Sequence, residues 1–244
     1  VVEPGVVNLE LTQAVLNFDL YYAPDPSSQQ ACTIGGNIAE NSGGPHCLAY
    51  GVTTNHVLGI EVVDADGEIS GYGGRTREHP GYDLRGIMIG SEGTLSIVTK
   101  AILRLSRKPE SVKTLLAIYQ DLDQASAAVS AVISSGIVPA AMEMMDDLAI
   151  QAAEPAVNAG YPENAGAVLL VEVEGLAELV EEDVADIEKV MSKYNPLEIR
   201  TAKTELDRTK LWAGRKGALS ALGRLAPNYY LIDGTIPPSK LVEV

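Results

Sequence analysis

Basic residues are scarce in this 244-residue sequence. Lysine and arginine number 18 against 33 aspartates and glutamates, which gives a formal net charge of −15. A chain this acidic repels the phosphate backbone of nucleic acids and the surface of anionic membranes. We therefore expect no nucleic-acid partner, and the charge itself favours solubility.

Cysteine and histidine are also rare. Cys32 and Cys47 are too few for a disulfide framework and are not spaced as a C-x-x-C pair, which favours a reducing, cytoplasmic setting. His46, His56 and His79 show no metal-binding spacing, so we predict no metal site. No signal peptide opens the sequence, and no apolar run approaches the ~18 residues of a transmembrane helix. Any association with the inner membrane is therefore expected to be peripheral, through a partner.

Standard nucleotide-binding motifs are missing, although one stretch is rich in glycine. "ACTIGGNIAENSGG" (31–44) matches neither G-x-G-x-x-G nor G-x-x-x-x-G-K-[ST]. Paired glycines allow successive backbone N–H groups to converge on an anion. They equally allow two segments of the chain to cross closely. Both interpretations of this stretch remain open.

Two other loops are candidates for ligand contact. "YYAPDPSSQQ" (21–30) is a rigid turn that displays hydroxyls. "IGSEG" (89–93) resembles the G-x-S-x-G nucleophile elbow, but Ile89 replaces the first glycine and no histidine follows Ser91. The motif therefore disfavours a serine hydrolase, while Gly90 and Gly93 allow a ligand to lie against backbone.

An arginine near the end of the chain is the candidate for binding an anion. "LWAGRKGALSALGRL" (211–225) places Trp212, Arg215 and Lys216 together on a predicted helix. Arg215 is interpreted either as a surface ion-pair partner or as a bidentate ligand for a substrate carboxylate.

The pattern changes near residue 106, where we place a domain boundary. Before it, an apolar strand, a turn at Asp64 to Gly67 and a return strand are predicted over 57–70. A second strand–turn–strand is predicted over 86–105, and short helices are predicted over 9–20 and 35–43.

The second part alternates strands with amphipathic helices. Strands are predicted over 112–120, 139–146, 166–175 and 197–201, and helices over 121–136, 147–159, 176–194 and 204–222. This order predicts an α+β sandwich of ferredoxin-like character, with an antiparallel sheet.

Four segments together resemble a known family. They are "PDPSSQQACTIGGNIAENSGG" and its continuation to 68, "GYDLRGIMIGSEGTLSIVTKAILRL" (81–105), "AMEMMD" (141–146) and "WAGRKGA…YYLIDGTIPPSKL" (212–241). In order and spacing they resemble the flavoenzymes of the vanillyl-alcohol oxidase/p-cresol methylhydroxylase (PCMH) superfamily. Within it, the sequence is most similar to the D-2-hydroxyacid dehydrogenase branch, which includes the FAD-binding subunit of bacterial glycolate oxidase.

The resemblance implies an architecture and an activity. Residues 1–106 would form the second lobe of a PCMH-type FAD-binding domain, and 107–244 part of the antiparallel-sheet cap, the FAD-linked oxidase C-terminal domain. The implied cofactor is non-covalent FAD. The implied reaction oxidises a short 2-hydroxy acid, glycolate or D-lactate, to the 2-oxo acid by hydride transfer, with an electron acceptor or partner subunits of an oxidase complex.

The resemblance also assigns roles to residues. It implies that the flavin is lined by Pro24, Asp25, Pro26, Ser27, Ser28, Thr33, Ile34, Gly35, Gly36 and Asn37. It implies that this wall continues through Glu40, Asn41, Ser42, Gly43, Gly44 and Gly51. The adenosine or pyrophosphate end is assigned to Gly90, Ser91, Glu92, Gly93, Thr94, Leu95, Ser96 and Ile97. Arg215 is assigned to the substrate carboxylate.

The sequence departs from the family pattern in several places. Relatives carry an N-terminal lobe before the position of Val1 and an H-x-G-D-G-N-x-H segment beyond Val244. Ser96 stands where glycine is common, and the lysine that some relatives have shortly before the turn at Asp233 is absent. We expect the chain to be a fragment that retains FAD weakly or not at all and does not turn over alone.

Two other functions remain open at this point. One is an alditol, sugar-lactone or cell-wall precursor oxidoreductase of the same superfamily, which the Arg215 region and "AMEMMD" disfavour. The other is a non-catalytic subunit of a glycolate oxidase complex, which the intact glycine-rich stretch disfavours.

Overall fold

A computed structural model of the chain describes residues 1–76, 81–162, 164–226, 228–237 and 240–243. The chain divides into two compact units, Val1–Lys108 and Pro109–Val244. None of the helices in the described residues is long and apolar enough to cross a membrane.

The first unit combines short helices with a small antiparallel sheet. Its helices are α1 (Asn8–Val15), α2 (Ile34–Glu40), α3 (Cys47–Tyr50) and α4 (Leu84–Met88). Its strands are β1 (Leu20–Tyr21), β2 (Val57–Val63), β3 (Ile69–Gly73), β4 (Ile97–Leu103) and β5 (Ser106–Arg107). Three strands pair in the order β3-β2-β4, and β1 pairs with β5.

The hairpin predicted over 57–70 is confirmed, and the strand predicted to begin at residue 86 is wrong. Gly67 closes the turn between β2 and β3 with a positive φ of 82° and a 3.1 Å hydrogen bond from its N–H to Asp64 O. The segment 86–88 is helical rather than extended. Asp83 explains the difference, because its carboxylate accepts the Gly86 N–H at 3.1 Å and caps α4.

The second unit alternates strands and helices as the hydrophobic pattern predicts. Its strands are β6 (Ser111–Tyr119), β7 (Ala141–Asp146), β8 (Ala167–Gly175) and β9 (Glu198–Thr201). Its helices are α5 (Leu122–Ser134), α6 (Asp147–Val157), α7 (Ala177–Met191) and α8 (Glu205–Ala221). The strands form one antiparallel sheet in the order β7-β8-β6-β9, which confirms the ferredoxin-like sandwich.

The central strands β6 and β8 are buried on both faces. Leu115, Ala117 and Tyr119 contribute to the core beneath α5 and α7. Leu116 and Ile118 point to the opposite core, which α8 completes with Leu211 and Trp212 among others. Alternation of side chains along a strand explains this division. It also explains why the two strands read as nearly continuous apolar runs.

Candidate functional site

A cavity of about 440 Å³ in the first unit brings together residues from separate parts of the sequence. Its walls come from the start of the chain, from α2 and from the loop before β4. Its volume lies within the usual range for small-molecule sites. It is lined by Pro4, Gly5, Thr33, Gly35, Gly36, Ala39, Met88, Ser91, Gly93, Ser96, Ile97 and Val98.

Part of the cavity wall is bare backbone. A Cβ placed on Gly36 would meet only Thr33 Oγ1, at 3.5 Å, and one placed on Gly93 would meet only Ile97 Cδ1, at 3.8 Å. Gly93 also has a φ of +74°, which disfavours any larger residue. Side chains at these two positions would therefore occupy cavity space that a ligand can use.

Gly35 and Gly44 of the 31–44 stretch lie at close crossings of the chain. A Cβ on Gly35 would lie 2.6 Å from Pro4 Cβ, and one on Gly44 would lie 2.5 Å from the Asp25 carbonyl carbon. The close-crossing interpretation therefore applies to Gly35 and Gly44, and the anion-binding interpretation of this stretch stays a prediction.

The backbone N–H groups at the start of α2 all have partners within the protein. Ile34 N–H donates to Val6 O and Gly35 N–H to Pro4 O, both at 2.8 Å. Gly36 N–H donates to the Thr33 hydroxyl at 3.2 Å, and Asn37 N–H to Thr33 O at 2.9 Å. Anion binding by these particular groups would require those hydrogen bonds to break.

Several predicted cofactor residues hold loops together instead of lining the cavity. The buried Asn37 accepts a 3.0 Å hydrogen bond from the side chain of Asn8. The side chain of Asn41 accepts from both the N–H and the hydroxyl of Thr54, at 2.9 and 2.8 Å. Asp25 pairs with His46 at 2.8 Å between Oδ2 and Nδ1.

The predicted cofactor-binding residues fall into two groups, those that line the cavity and those that do not. The predicted residues that line the cavity are Thr33, Gly35, Gly36, Ser91, Gly93, Ser96 and Ile97. Those outside its lining are Pro24, Asp25, Pro26, Ser27, Ser28, Ile34, Asn37, Glu40, Asn41, Ser42, Gly43, Gly44, Gly51, Gly90, Glu92, Thr94 and Leu95. Sequence reasoning missed five lining residues: Pro4, Gly5 and Met88, which reach the cavity only through the fold, and Ala39 and Val98, which lie next to predicted residues. His79 lies outside the described residues.

Arg215, in the second unit, forms an ion pair with the neighbouring sheet. It lies on α8, and its Nε and Nη2 atoms contact Glu143 Oε2 on β7 at 2.8 and 2.7 Å. Its side chain is 33% exposed. The residue is therefore structurally paired and still accessible to a solute.

A second, buried carboxylate lies on the same face of the sheet. Glu172 on β8 accepts hydrogen bonds from Thr114 Oγ1 at 2.5 Å and from Trp212 Nε1 at 2.6 Å. Arg208 binds it through Nε at 2.9 Å and Nη2 at 3.0 Å. Burial lowers the pKa of Arg208, but its bonds to Glu172 and the charges of Glu172 and Glu205 outweigh this and raise the pKa.

Sequence reasoning did not identify Glu143 or Glu172 as parts of a polar network. Glu172 interrupts an otherwise apolar strand, "AVLLVEV", and a lone acid in such a run is a signal for a buried, paired carboxylate. That signal does not name the partners, which lie 36 to 58 residues away.

Comparison with known families and proteins defines the class of this chain. The family model of the C-terminal domain of FAD-linked oxidases matches residues 108–244, and the FAD-binding domain model matches residues 1–71. The chain belongs to the FAD-linked oxidase family, which confirms the predicted family and FAD as the cofactor.

Individual relatives are named for hydroxyacid oxidation. The chain is 47% identical over 243 residues to glycolate oxidase subunit GlcD of Escherichia coli strain K12, covering 100% of this chain and 49% of that protein. It is 46% identical over 244 residues to GlcD of Bacillus subtilis strain 168, covering 100% and 52%. A probable mitochondrial D-lactate dehydrogenase of Danio rerio is 31% identical, covering 100% and 49%. The chain thus spans about half the length of the curated relatives it matches.

A solved structure shares the fold. Alkyldihydroxyacetonephosphate synthase superposes with a TM-score of 0.73 at 19% identity, covering 92% of this chain and 45% of that one. At this identity the likeness shows a common fold alone.

Proposed function

We propose that the whole protein to which this chain contributes oxidises a short 2-hydroxy acid, glycolate or D-lactate, to the corresponding 2-oxo acid. One observation carries the proposal. Arg215 offers a partly exposed guanidinium on α8, in a chain 47% identical to a glycolate oxidase subunit. Arginine binds carboxylates with a fixed, planar geometry, which suits an α-hydroxycarboxylate ligand.

The domain assignment is part of the same proposal. Residues 1–106 contribute one lobe of the FAD-binding domain, and 107–244 contribute to the cap domain that binds substrate. We further propose a cytoplasmic protein that works with an electron acceptor or with partner subunits.

The cavity of the first unit is the proposed place for part of FAD. Its bare backbone at Gly36 and Gly93 and the hydroxyls of Thr33 and Ser91 fit a cofactor that packs flat against the chain. When bound, FAD supplies the acceptor for the two electrons and the α-hydrogen of the hydroxy acid. The chain's own residues fix the shape of that wall.

The cavity assignment is tested by filling the cavity. Gly36→Leu places a large side chain in the wall, while leucine remains a good helix former in α2. In the full-length protein we expect normal stability and a lower flavin content per protein, measured by visible absorbance. Gly223→Leu is the control, because a Cβ there meets nothing within 4 Å and the residue does not line the cavity. Full flavin content in Gly36→Leu would refute this placement.

Anaerobic flavin reduction tests the proposed activity. In the full-length protein loaded with FAD, glycolate or D-lactate is expected to bleach the oxidised flavin. Arg215→Ala should need higher substrate concentrations, whereas Arg200→Ala, which alters a different ion pair of the same sheet, should not. Flavin that stays oxidised with every short 2-hydroxy acid would rule out the proposed function.

A further inference from the structure

Arg215 uses only one side of its guanidinium to contact the protein. Nε and Nη2 both contact a single oxygen of Glu143, Oε2. Nη1 makes no hydrogen bond to any residue within the described ranges. An arginine side chain has five N–H donors in a rigid fork, so the Nη1 and Nη2 end still presents two parallel donors.

We propose that Glu143 is a positioning residue for Arg215, and that it directs the Nη1/Nη2 end of the guanidinium toward the carboxylate of the substrate. The inference rests on the proposed function. Glu143 occupies the Nε edge of the guanidinium. A second carboxylate can then bind the Nη1/Nη2 edge through two parallel hydrogen bonds. The two carboxylates bind different edges and do not compete.

The backbone that carries Arg215 is held in place next to this pair. Trp212, one turn earlier on α8, is tied to the buried carboxylate of Glu172. On another side of the helix, Gly214 packs so closely against Tyr161 that an added Cβ would lie 2.5 Å from the tyrosine ring. The Tyr161 hydroxyl also donates a hydrogen bond to Leu211 O at 2.6 Å. The conformational freedom that remains is that of the Arg215 side chain, and the ion pair with Glu143 restricts it.

Removing that freedom has a consequence for affinity. Without Glu143, the ordering of the arginine rotamers falls on the ligand, which weakens binding. Glu143 also carries a negative charge that by itself opposes an anionic ligand. Substitution to glutamine separates the two effects, because the amide oxygen can still accept the hydrogen bond from Nε but carries no charge.

The variants therefore give opposite predictions for three possible roles. A positioning role predicts about tenfold weaker binding of glycolate for Glu143→Ala, and equal or tighter binding for Glu143→Gln. A pure competitor predicts tighter binding for both variants. A purely structural role predicts unchanged affinity for both.

The direct test is NMR of the full-length protein with ¹⁵N-labelled arginine, titrated with glycolate and with D-lactate. We expect the Arg215 side-chain signals to shift on titration in the wild type and in Glu143→Gln, and to respond about tenfold more weakly in Glu143→Ala. Glu198→Gln and Glu198→Ala are the controls, because they alter the comparable pair with Arg200. Arg215 signals that ignore both acids, or that respond equally in Glu143→Ala and the wild type, would overturn the inference.

A kinetic readout distinguishes this inference from the proposed function. If the protein reduces its flavin with glycolate, Glu143→Ala should raise KM about tenfold with little change in kcat, and Glu143→Gln should not raise KM. A protein that binds glycolate at Arg215 without flavin reduction would end the proposed function and leave the positioning role in place. If Glu143→Ala is active and its KM is unchanged, the positioning role is ruled out and the proposed function stands.

Discussion

Trp212 Nε1 donates a 2.6 Å hydrogen bond to Glu172 Oε2, a carboxylate that is fully buried in the second unit. The same carboxylate oxygen accepts from Thr114 and from Arg208. A buried charge is tolerated in a protein interior when hydrogen bonds and an opposite charge compensate its lost hydration. Helix α8 is thereby tied to strands β6 and β8 through polar contacts as well as apolar ones.

Glu172→Gln is expected to destabilise the protein strongly. It leaves the half-buried Arg208 without its main opposite charge, which typically costs about 3 kcal/mol. Chemical denaturation measures the change in the free energy of unfolding. Glu198→Gln, which alters an exposed Arg–Glu pair, should show no measurable change. Equal effects of the two variants would mean that the buried network does not stabilise α8.

Two tyrosine-to-phenylalanine substitutions are expected to affect the free energy of unfolding differently. The Tyr119 hydroxyl is buried and makes no hydrogen bond within the described residues, so Tyr119→Phe should leave stability unchanged or raise it by up to ~1 kcal/mol. The Tyr161 hydroxyl donates to Leu211 O, so Tyr161→Phe should lose about 1 kcal/mol. Thermal and denaturant unfolding of both variants measure these changes. A loss of stability in Tyr119→Phe would contradict the prediction.

Stability is expected to fall at alkaline pH. Burial raises the pKa of Tyr119 to about 12, and burial also raises the pKa of Tyr22 and Tyr161 above the ordinary value of 10.0. The unfolded chain releases these protons near pH 10, and the folded protein releases them only at higher pH. The stabilisation is thus complete below pH 10 and declines as pH rises toward 12.

Unfolding free energies measured at about pH 9 and about pH 11 should show this decline. The decline should be smaller in Tyr119→Phe, which removes one of the three phenols. An identical decline in the variant would assign the alkaline effect to other groups.

Gly44→Ala is expected to destabilise the first unit. The added methyl would lie 2.5 Å from the Asp25 carbonyl carbon, so the backbone must move, at a cost of about 1–3 kcal/mol. Gly223→Ala adds a methyl in open space and should change stability by less than ~0.5 kcal/mol. Comparable melting temperatures for the two variants would show that the crossing at Gly44 relaxes without cost.

The sequence predicts the second unit better than the first. Apolar periods of two and 3.6 residues mark β6 to α8 clearly, because each element is long and buries a regular face. In the first unit, the apolar residues Ile87 and Met88 favour a strand, while the Asp83 cap decides for a helix. A single side-chain hydrogen bond of this kind is not visible in a hydrophobic pattern.

The residues of the candidate site were partly predictable for the same reason. Glycine density indicates where bare backbone is needed, but only the fold shows that Gly36 lines a cavity and that Gly35 faces Pro4. Arg215 is identifiable as a rare cation near aromatic residues. Its partner Glu143 lies 72 positions earlier and is brought close only by sheet pairing and helix docking.

The order of strands in the second unit leaves β7 and β9 at its two margins. An outer strand exposes unpaired backbone groups on which another polypeptide can add, the first step of aggregation. β9 comprises only Glu198–Thr201, and the charged pair Glu198 and Arg200 lies along it. A short, charged margin of this kind discourages another polypeptide from adding to β9.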